Sequence, residues 1–276
     1  MWKCDQLVVV GAGNMGGALA LGVLRSGLLP ASSILAIDPS EACRGTMVHA
    51  GIRSFAALSQ LPAHSGSRVI LLAIKPQKLS EFAQEFAAWS GAGSCTLTLS
   101  ILAGVSRSRV MQALGRDIPC IRAMPNLPAL LGQGATAVCD DGAREEHAAF
   151  AREVFRSVGP CVQQLDESLL DAFTAVAGSG PAYVFLLAEA MLAGAKQTGM
   201  PEELAREAIA QTCLGAAAML REPGAHAATL RDRVTSPGGT TQAALQVLMK
   251  HNVPGALQEA VIAARDRARE LGLSNR

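Results

Sequence analysis

The sequence predicts an α/β protein in two parts, a doubly wound sheet over residues 1–165 followed by an all-helical domain over residues 166–276. Three observations carry this. Short, continuous apolar runs alternate with helical segments through the first part. A glycine-rich turn closes the first of those runs, and beyond Asp166 the β-type runs stop and Ala-, Leu- and Met-rich helical patterns take over.

The first strand is Leu7-Val8-Val9-Val10, followed by Ile34-Leu35-Ala36-Ile37 and by Val69 to Ile74. Further strands are predicted at Thr96 to Ile101, Ile118 to Ala123, Gly134 to Val138 and Cys161 to Leu165. Runs this uniformly apolar suit a mainly parallel sheet covered on both faces. The Gly159-Pro160 pair ends the preceding helix and puts the domain boundary near 165. The second part reads as helices over 182–198, 201–221, 240–251 and 254–271, with Pro201 and Pro254 at helix starts and Ser236-Pro237-Gly238-Gly239 between two of them.

Composition narrows the function classes. Half of the 276 residues are hydrophobic and only 17% are charged, against about 25% in an ordinary soluble domain, so an oligomer is expected. The net charge of +1 offers no global field for nucleic acid or an anionic membrane. Seven scattered cysteines, with no Cys-x-x-Cys pair, read as reduced thiols in a cytoplasmic protein and give no metal site. No secretory signal is expected at the N-terminus, and Glu189 splits the best candidate for a membrane span.

Gly11-Ala12-Gly13-Asn14-Met15-Gly16 follows the first strand and opens a helix, the context that makes a glycine pattern a Rossmann-type dinucleotide fingerprint. Gly11 serves the tight turn, Gly13 the approach of the pyrophosphate, and Gly16 the packing of helix on strand, while the helix N-terminus attracts phosphate. Asp38, at the end of the second strand, suits a ribose 2′-hydroxyl and leans towards NADH over NADPH; it is equally a turn or capping residue before Pro39. Ala73-Ile74-Lys75-Pro76 closes another strand and places Lys75 beside a cofactor, or simply at an exposed strand end. Asn126, in a proline-fixed loop after the Arg122-Ala123-Met124 run, can orient a carboxamide or serve the loop alone. Gly178-Ser179-Gly180-Pro181-Ala182-Tyr183 and Ser236-Pro237-Gly238-Gly239-Thr240-Thr241 both read as helix-opening donor nests for a carboxylate, or as ordinary caps.

Taken in order, the N-terminal glycine motif, Ile74-Lys75-Pro76, Arg122-Ala123-Met124-Pro125-Asn126, and the Gly178 and Ser236 motifs closely resemble pyrroline-5-carboxylate reductase over nearly the whole chain. The resemblance implies reduction of 1-pyrroline-5-carboxylate to L-proline with NADPH or NADH, the final step of proline biosynthesis. It implies that the C-terminal domain is a dimerisation domain, giving a homodimer and on further assembly a decamer, with the active site between one subunit's nucleotide domain and its partner's helices. Carried over by position, Ser236, Gly239, Thr240 and Thr241 hold the substrate carboxylate, with the catalytic Thr241 hydroxyl close to the ring nitrogen. Gly11, Gly13, Asn14, Met15, Gly16, Asp38, Ala73, Lys75, Pro76 and Asn126 are the expected cofactor residues. The chain departs from the family at Ala177, usually serine, around His226, and at Asp38. Two rivals remain at this level: a 3-hydroxyacid-type dehydrogenase, which needs a helical lysine base, and a nicotinamide-binding sensor without turnover.

Overall fold

The computed structural model describes residues 4–115 and 117–274, the side chains of 273 and 274 excepted. The chain forms two compact units, one of residues 4–179 joined by those from Ala264 onward, the other of Gly180–Ala263.

In the first unit β1 (Gln6–Val10) leads to α1 (Asn14–Arg25), then β2 (Ile34–Ile37), α2 (Glu41–His49), β3 (Arg53–Phe55), β4 (Arg68–Leu72), α3 (Leu79–Ala88), β5 (Cys95–Ser100), α4 (Arg107–Leu114) and β6 (Cys120–Met124). After these come β7 (Ala135–Cys139), α5 (Glu145–Arg156), β8 (Cys161–Gln164) and the short α6 (Leu170–Phe173). The eight strands form one sheet in the order β3-β2-β1-β4-β5-β6-β7-β8. All neighbours are parallel except β6 and β7. The ten-residue link between that pair holds Pro125, Pro128 and a left-handed Gly132; it reverses the chain and carries no crossover helix.

Strand alternation divides the core. Leu7, Val9, Leu71, Leu97 and Ile121 pack under α1 and α5 with Leu19, Val23, Val154 and Phe155. Val8, Val10, Ile70 and Leu72 face the other way, against Phe82 and Phe86 of α3 and Val110 and Leu114 of α4. With both faces covered, every residue of β2 and β4 is buried, which explains the continuous apolar runs of residues 34–37 and 69–72. The strand order reverses at β1, whose neighbours are β2 and β4, and the cleft at such a switch point is where open α/β sheets take ligands.

The predicted strands match within a residue or two, apart from β3. Its three residues begin with the exposed Arg53, so β3 is an edge strand with no apolar run to announce it. The compact unit runs past the expected boundary near 165 to Ser179. Leu170 is buried with Ala137 and Cys139 of β7, and Phe173 packs beside them, so α6 belongs to the sheet. The segment Thr174–Gly178 is a π-helical turn.

The second unit contains α7 (Gly180–Gln197), α8 (Glu202–Leu220), α9 (Ala227–Arg233), α10 (Thr240–Lys250) and the start of α11 (Val253–Ser274). α7 buries none of its residues, and Phe185 and Leu186 are 59% and 65% exposed. The helical run Glu167–Gln197 is long and apolar enough, by length and composition alone, to cross a membrane.

Candidate active site

The turn after β1 is built by glycine for steric reasons. Gly11 has φ +91°, and a Cβ there would lie 2.7 Å from the carbonyl oxygen of Ala73. At Gly16 a Cβ would collide with the Gly11 carbonyl and reach within 2.9 Å of the Ala73 side chain. Helix, turn and the end of β4 therefore fit together only without side chains. Gly13 differs: it is exposed, and a Cβ would meet nothing, so its backbone is open to a ligand. It is also the N-cap of α1, with no side-chain cap and no acidic residue in the first turn. The free N–H groups of that turn give a positive end for a pyrophosphate.

A cavity of about 430 Å³ beside this turn is lined by Gly11, Gly13, Asp38, Ala73, Ile74 and Lys75, among others. Five of the expected cofactor residues thus meet at one cleft. Asn14 lines a different cavity, between α1 and α2, Met15 packs on the core, and Gly16 lies buried behind the turn. Pro76 is the first residue of a 3-10 turn that Lys75 caps; neither Pro76 nor Asn126 lines the cleft. Sequence reading missed Lys78, Glu81, Phe82 and Glu85, which line it from the start of α3. Their helical spacing was the available signal.

Asp38 is 9% exposed. One carboxylate oxygen accepts from the Ala12 N–H at 2.8 Å and the other from the Ser40 N–H at 2.8 Å. The carboxylate clamps the glycine turn to the β2–α2 turn, the turn role allowed above, while still facing the cleft. Arg44 folds back so that Nη1 donates to the carbonyls of Asp38 and Pro39, each at 2.8 Å. Ser40 caps α2 and so puts Arg44 one helical turn on, beside Asp38.

Asn126 takes up the loop role allowed above. Its Nδ2 donates to the Ala177 carbonyl at 2.9 Å and its Oδ1 accepts from the Ala135 N–H at 2.8 Å, so both ends of the amide are engaged inside the chain. It braces the β6–β7 loop against the π-helical turn, whose widened ring leaves carbonyls needing partners. Of the two segments read as helix-opening nests, Gly178-Ser179-Gly180 has a donor already engaged. The Ser179 N–H donates to the Thr174 carbonyl in that turn, so this segment is not a free helix start.

The second nest keeps its form. Gly239 is the N-cap of α10, with no side-chain cap and no acidic residue in the first turn. Its N–H donates to the Ser236 carbonyl at 3.0 Å, and the Gly238 N–H donates to Gln242 Oε1 at 2.6 Å. A Cβ on Gly239 would fall 2.3 Å from Ser236 Oγ. Thr241 is half-buried at the second helical position. No residue of the helical unit caps this end by a side chain, which leaves first-turn donors for an anion.

Fold and cleft define a class, the two-part Rossmann oxidoreductases that bind a nicotinamide dinucleotide at the switch point. Residues 6–104 match the family model described as NADP oxidoreductase coenzyme F420-dependent, and residues 167–271 match that of pyrroline-5-carboxylate reductase dimerisation. The chain is 37% identical to pyrroline-5-carboxylate reductase of Arabidopsis thaliana, covering 96% of this chain and 95% of that one. The corresponding figures for the Synechocystis enzyme are 38%, 97% and 98%. Among solved structures, the reductase of Coxiella burnetii superposes with a TM-score of 0.84 at 30% identity over 98% of this chain and 99% of that one. That of Plasmodium falciparum, solved with NADP bound, gives 0.82 at 25% identity over 98% and 100%. The chain belongs to the pyrroline-5-carboxylate reductase family.

Proposed function

We infer that this protein reduces 1-pyrroline-5-carboxylate to L-proline with NAD(P)H, the final step of proline biosynthesis. The observation that carries the reading is the pairing, in one family member, of a glycine-built dinucleotide turn with an uncapped α10 start bearing the Ser236–Thr241 nest. The bound dinucleotide supplies the hydride. The chain supplies position. Gly11, Gly13 and the start of α1 receive the pyrophosphate, and Asp38 the adenosine ribose. Lys75 stands at the mouth of the same cleft.

At the Ser236–Thr241 nest, Ser236 and the backbone N–H groups of Thr240 and Thr241, exposed by the side-chain-free turn at Gly239, hold the substrate carboxylate, fixing the imine carbon for attack. The Thr241 hydroxyl donates towards the ring nitrogen, which becomes more basic as it turns into an amine. A water delivers the proton. The α10 start serving each cofactor cleft comes from the partner subunit of a homodimer, whose apolar α7 and α8 faces cover one another; assembly to a decamer follows the same resemblance. A dimer of this kind buries the run Glu167–Gln197 in protein and keeps the enzyme in the cytoplasm.

NADH is the preferred cofactor, because two backbone N–H groups hold the Asp38 carboxylate rigidly where a 2′-phosphate would have to sit. Arg44 is the counterweight that still admits NADPH. Rescue of a bacterial strain that cannot make proline tests the function. Growth without added proline is expected from the native chain, and failure of a well-expressed chain to restore it contradicts the reading.

A further inference from the structure

A third cavity, larger than the cofactor cleft, lies elsewhere in the first unit. Its volume is about 820 Å³, and Ser106, Arg109, Arg122, Asp171 and Arg269 are among its lining residues. That volume is within the range of small-molecule sites, about 300–1,000 Å³. The walls come from the start of α4, the middle of β6, α6 and the last turns of α11. None of these residues takes part in the reduction described above.

The chemistry of the wall is that of an oxyanion receptor. Arg122 is 7% exposed; its Nη1 donates to Glu167 Oε1 at 2.9 Å, while its Nε is buried with no hydrogen-bond partner. The same Glu167 oxygen accepts from the Arg107 N–H at 3.0 Å, in the first turn of α4. The chain thus already seats one of its own carboxylate oxygens between the α4 start and Arg122. Among the described residues neither Arg109 nor Arg269 has an ion-pair partner. The three guanidiniums of the wall outnumber the one carboxylate in it, Asp171, and the Glu167 carboxylate paired with Arg122, so the cavity stays positive, and the helix dipole of α4 adds to it. Arg is the residue suited to bidentate capture of phosphate or carboxylate.

We propose that this cavity binds a small organic anion bearing phosphate or carboxylate groups, held by Arg109, Arg122 and Arg269 with Ser106, at a site separate from the dinucleotide cleft. The C-terminal turns of α11 supply Arg269 and close one side. Loop and helix meet tightly there: a Cβ on Gly104 would lie 3.1 Å from the Gly272 nitrogen. An anion bridging Arg269 to Arg109 and Arg122 therefore ties the end of α11 to the sheet.

Calorimetric titration of the full-length oligomer tests this, with pyrophosphate and citrate as separate probes and with NADP⁺ at saturation so that the glycine turn is filled. Saturable binding of one equivalent per chain is expected, with pyrophosphate alone indicating a phosphate ligand and citrate alone a carboxylate. R109Q and R269Q should each weaken it by about tenfold or more, while leaving the anion-free melting temperature and the kcat/KM for imine reduction unchanged. Both variants hold exposed or half-exposed positions and should fold. Absence of saturable binding in the millimolar range, or binding unaltered in both variants, overturns the proposal.

Discussion

At Asp38 one carboxylate serves two purposes, and mutation separates them. It holds the glycine turn through Ala12 and the β2–α2 turn through Ser40, and in the proposed function its charge selects the ribose. Native protein should show kcat/KM about tenfold higher for NADH than for NADPH, the worth of about 1.4 kcal/mol. D38S should erase that ratio and raise the KM for both cofactors, because the clamp is lost too. R44A should widen it, by removing the cation that folds back beside Asp38. Equal use of both cofactors by native protein would leave Asp38 as a clamp alone. Thr241 is tested by the same kinetics. Gly239, not Thr241, caps α10, so T241A should lower kcat by about tenfold with little change in melting temperature, whereas T241S should keep most activity. A destabilised but fully active T241A enzyme would remove the threonine from the reaction. The sequence made the glycine turn and Asp38 legible because glycine and carboxylate positions follow directly from backbone geometry. It could not show that Arg44 folds back on Asp38, since that depends on where α2 starts.

Among the elements, the loop after β6 shows how a motif residue can be structural. Removing the Asn126 amide leaves the Ala135 N–H and the Ala177 carbonyl without partners. N126A should cost about 2 kcal/mol, read as a lower midpoint in urea, with the slope of the unfolding transition unchanged. An unaltered midpoint would show that water replaces the amide. The π-helical turn that Asn126 braces was invisible in the sequence, because Thr174–Gly178 carries no periodicity that separates a π turn from an α turn. That is why Gly178-Ser179-Gly180 looked like a helix opening. The long helices of the second unit, by contrast, were readable from Pro201 and Pro254 at their starts. Short α9 was not, having only two turns.

For the whole molecule, apolar side chains on α7 and α8 that are buried in no single chain require a partner. Phe185, Leu186 and Leu214 are each more than half exposed, an arrangement that a lone subunit in water does not sustain. Light scattering at micromolar concentration should give at least a dimer, and L186E should dissociate it and abolish turnover together; a folded, active monomer would refute the shared site. Stability should also have a plateau in pH. Burial, with Arg144 nearby, lowers the His147 pKa, so the native state resists a proton that the unfolded chain takes up near pH 6.5, and stability falls as pH drops through that range. Burial pushes the thiols of Cys4, Cys120 and Cys139 from 9.0 up to about 12. Above pH 9 the unfolded chain loses those protons first, and stability falls again as pH rises. Urea midpoints across pH 5 to 10 should therefore be highest between about 7 and 8.5. Composition made the oligomer legible through its low charge. It left the extent of assembly open, because apolar area does not specify how many copies share it.

In the proposed reaction the glycine turn after β1 and the Ser236–Thr241 nest together reduce a cyclic imine bearing a carboxylate. Its most direct test is steady-state oxidation of NADH and NADPH by the purified protein, with 1-pyrroline-5-carboxylate, the six-membered imine acid and a set of 3-hydroxyacids run in reverse with oxidised cofactor. Rapid turnover of the five-membered imine, with one L-proline formed per cofactor oxidised and no reaction of the hydroxyacids, is the expected result. Cofactor binding without imine turnover, or preferred oxidation of a hydroxyacid, would contradict it.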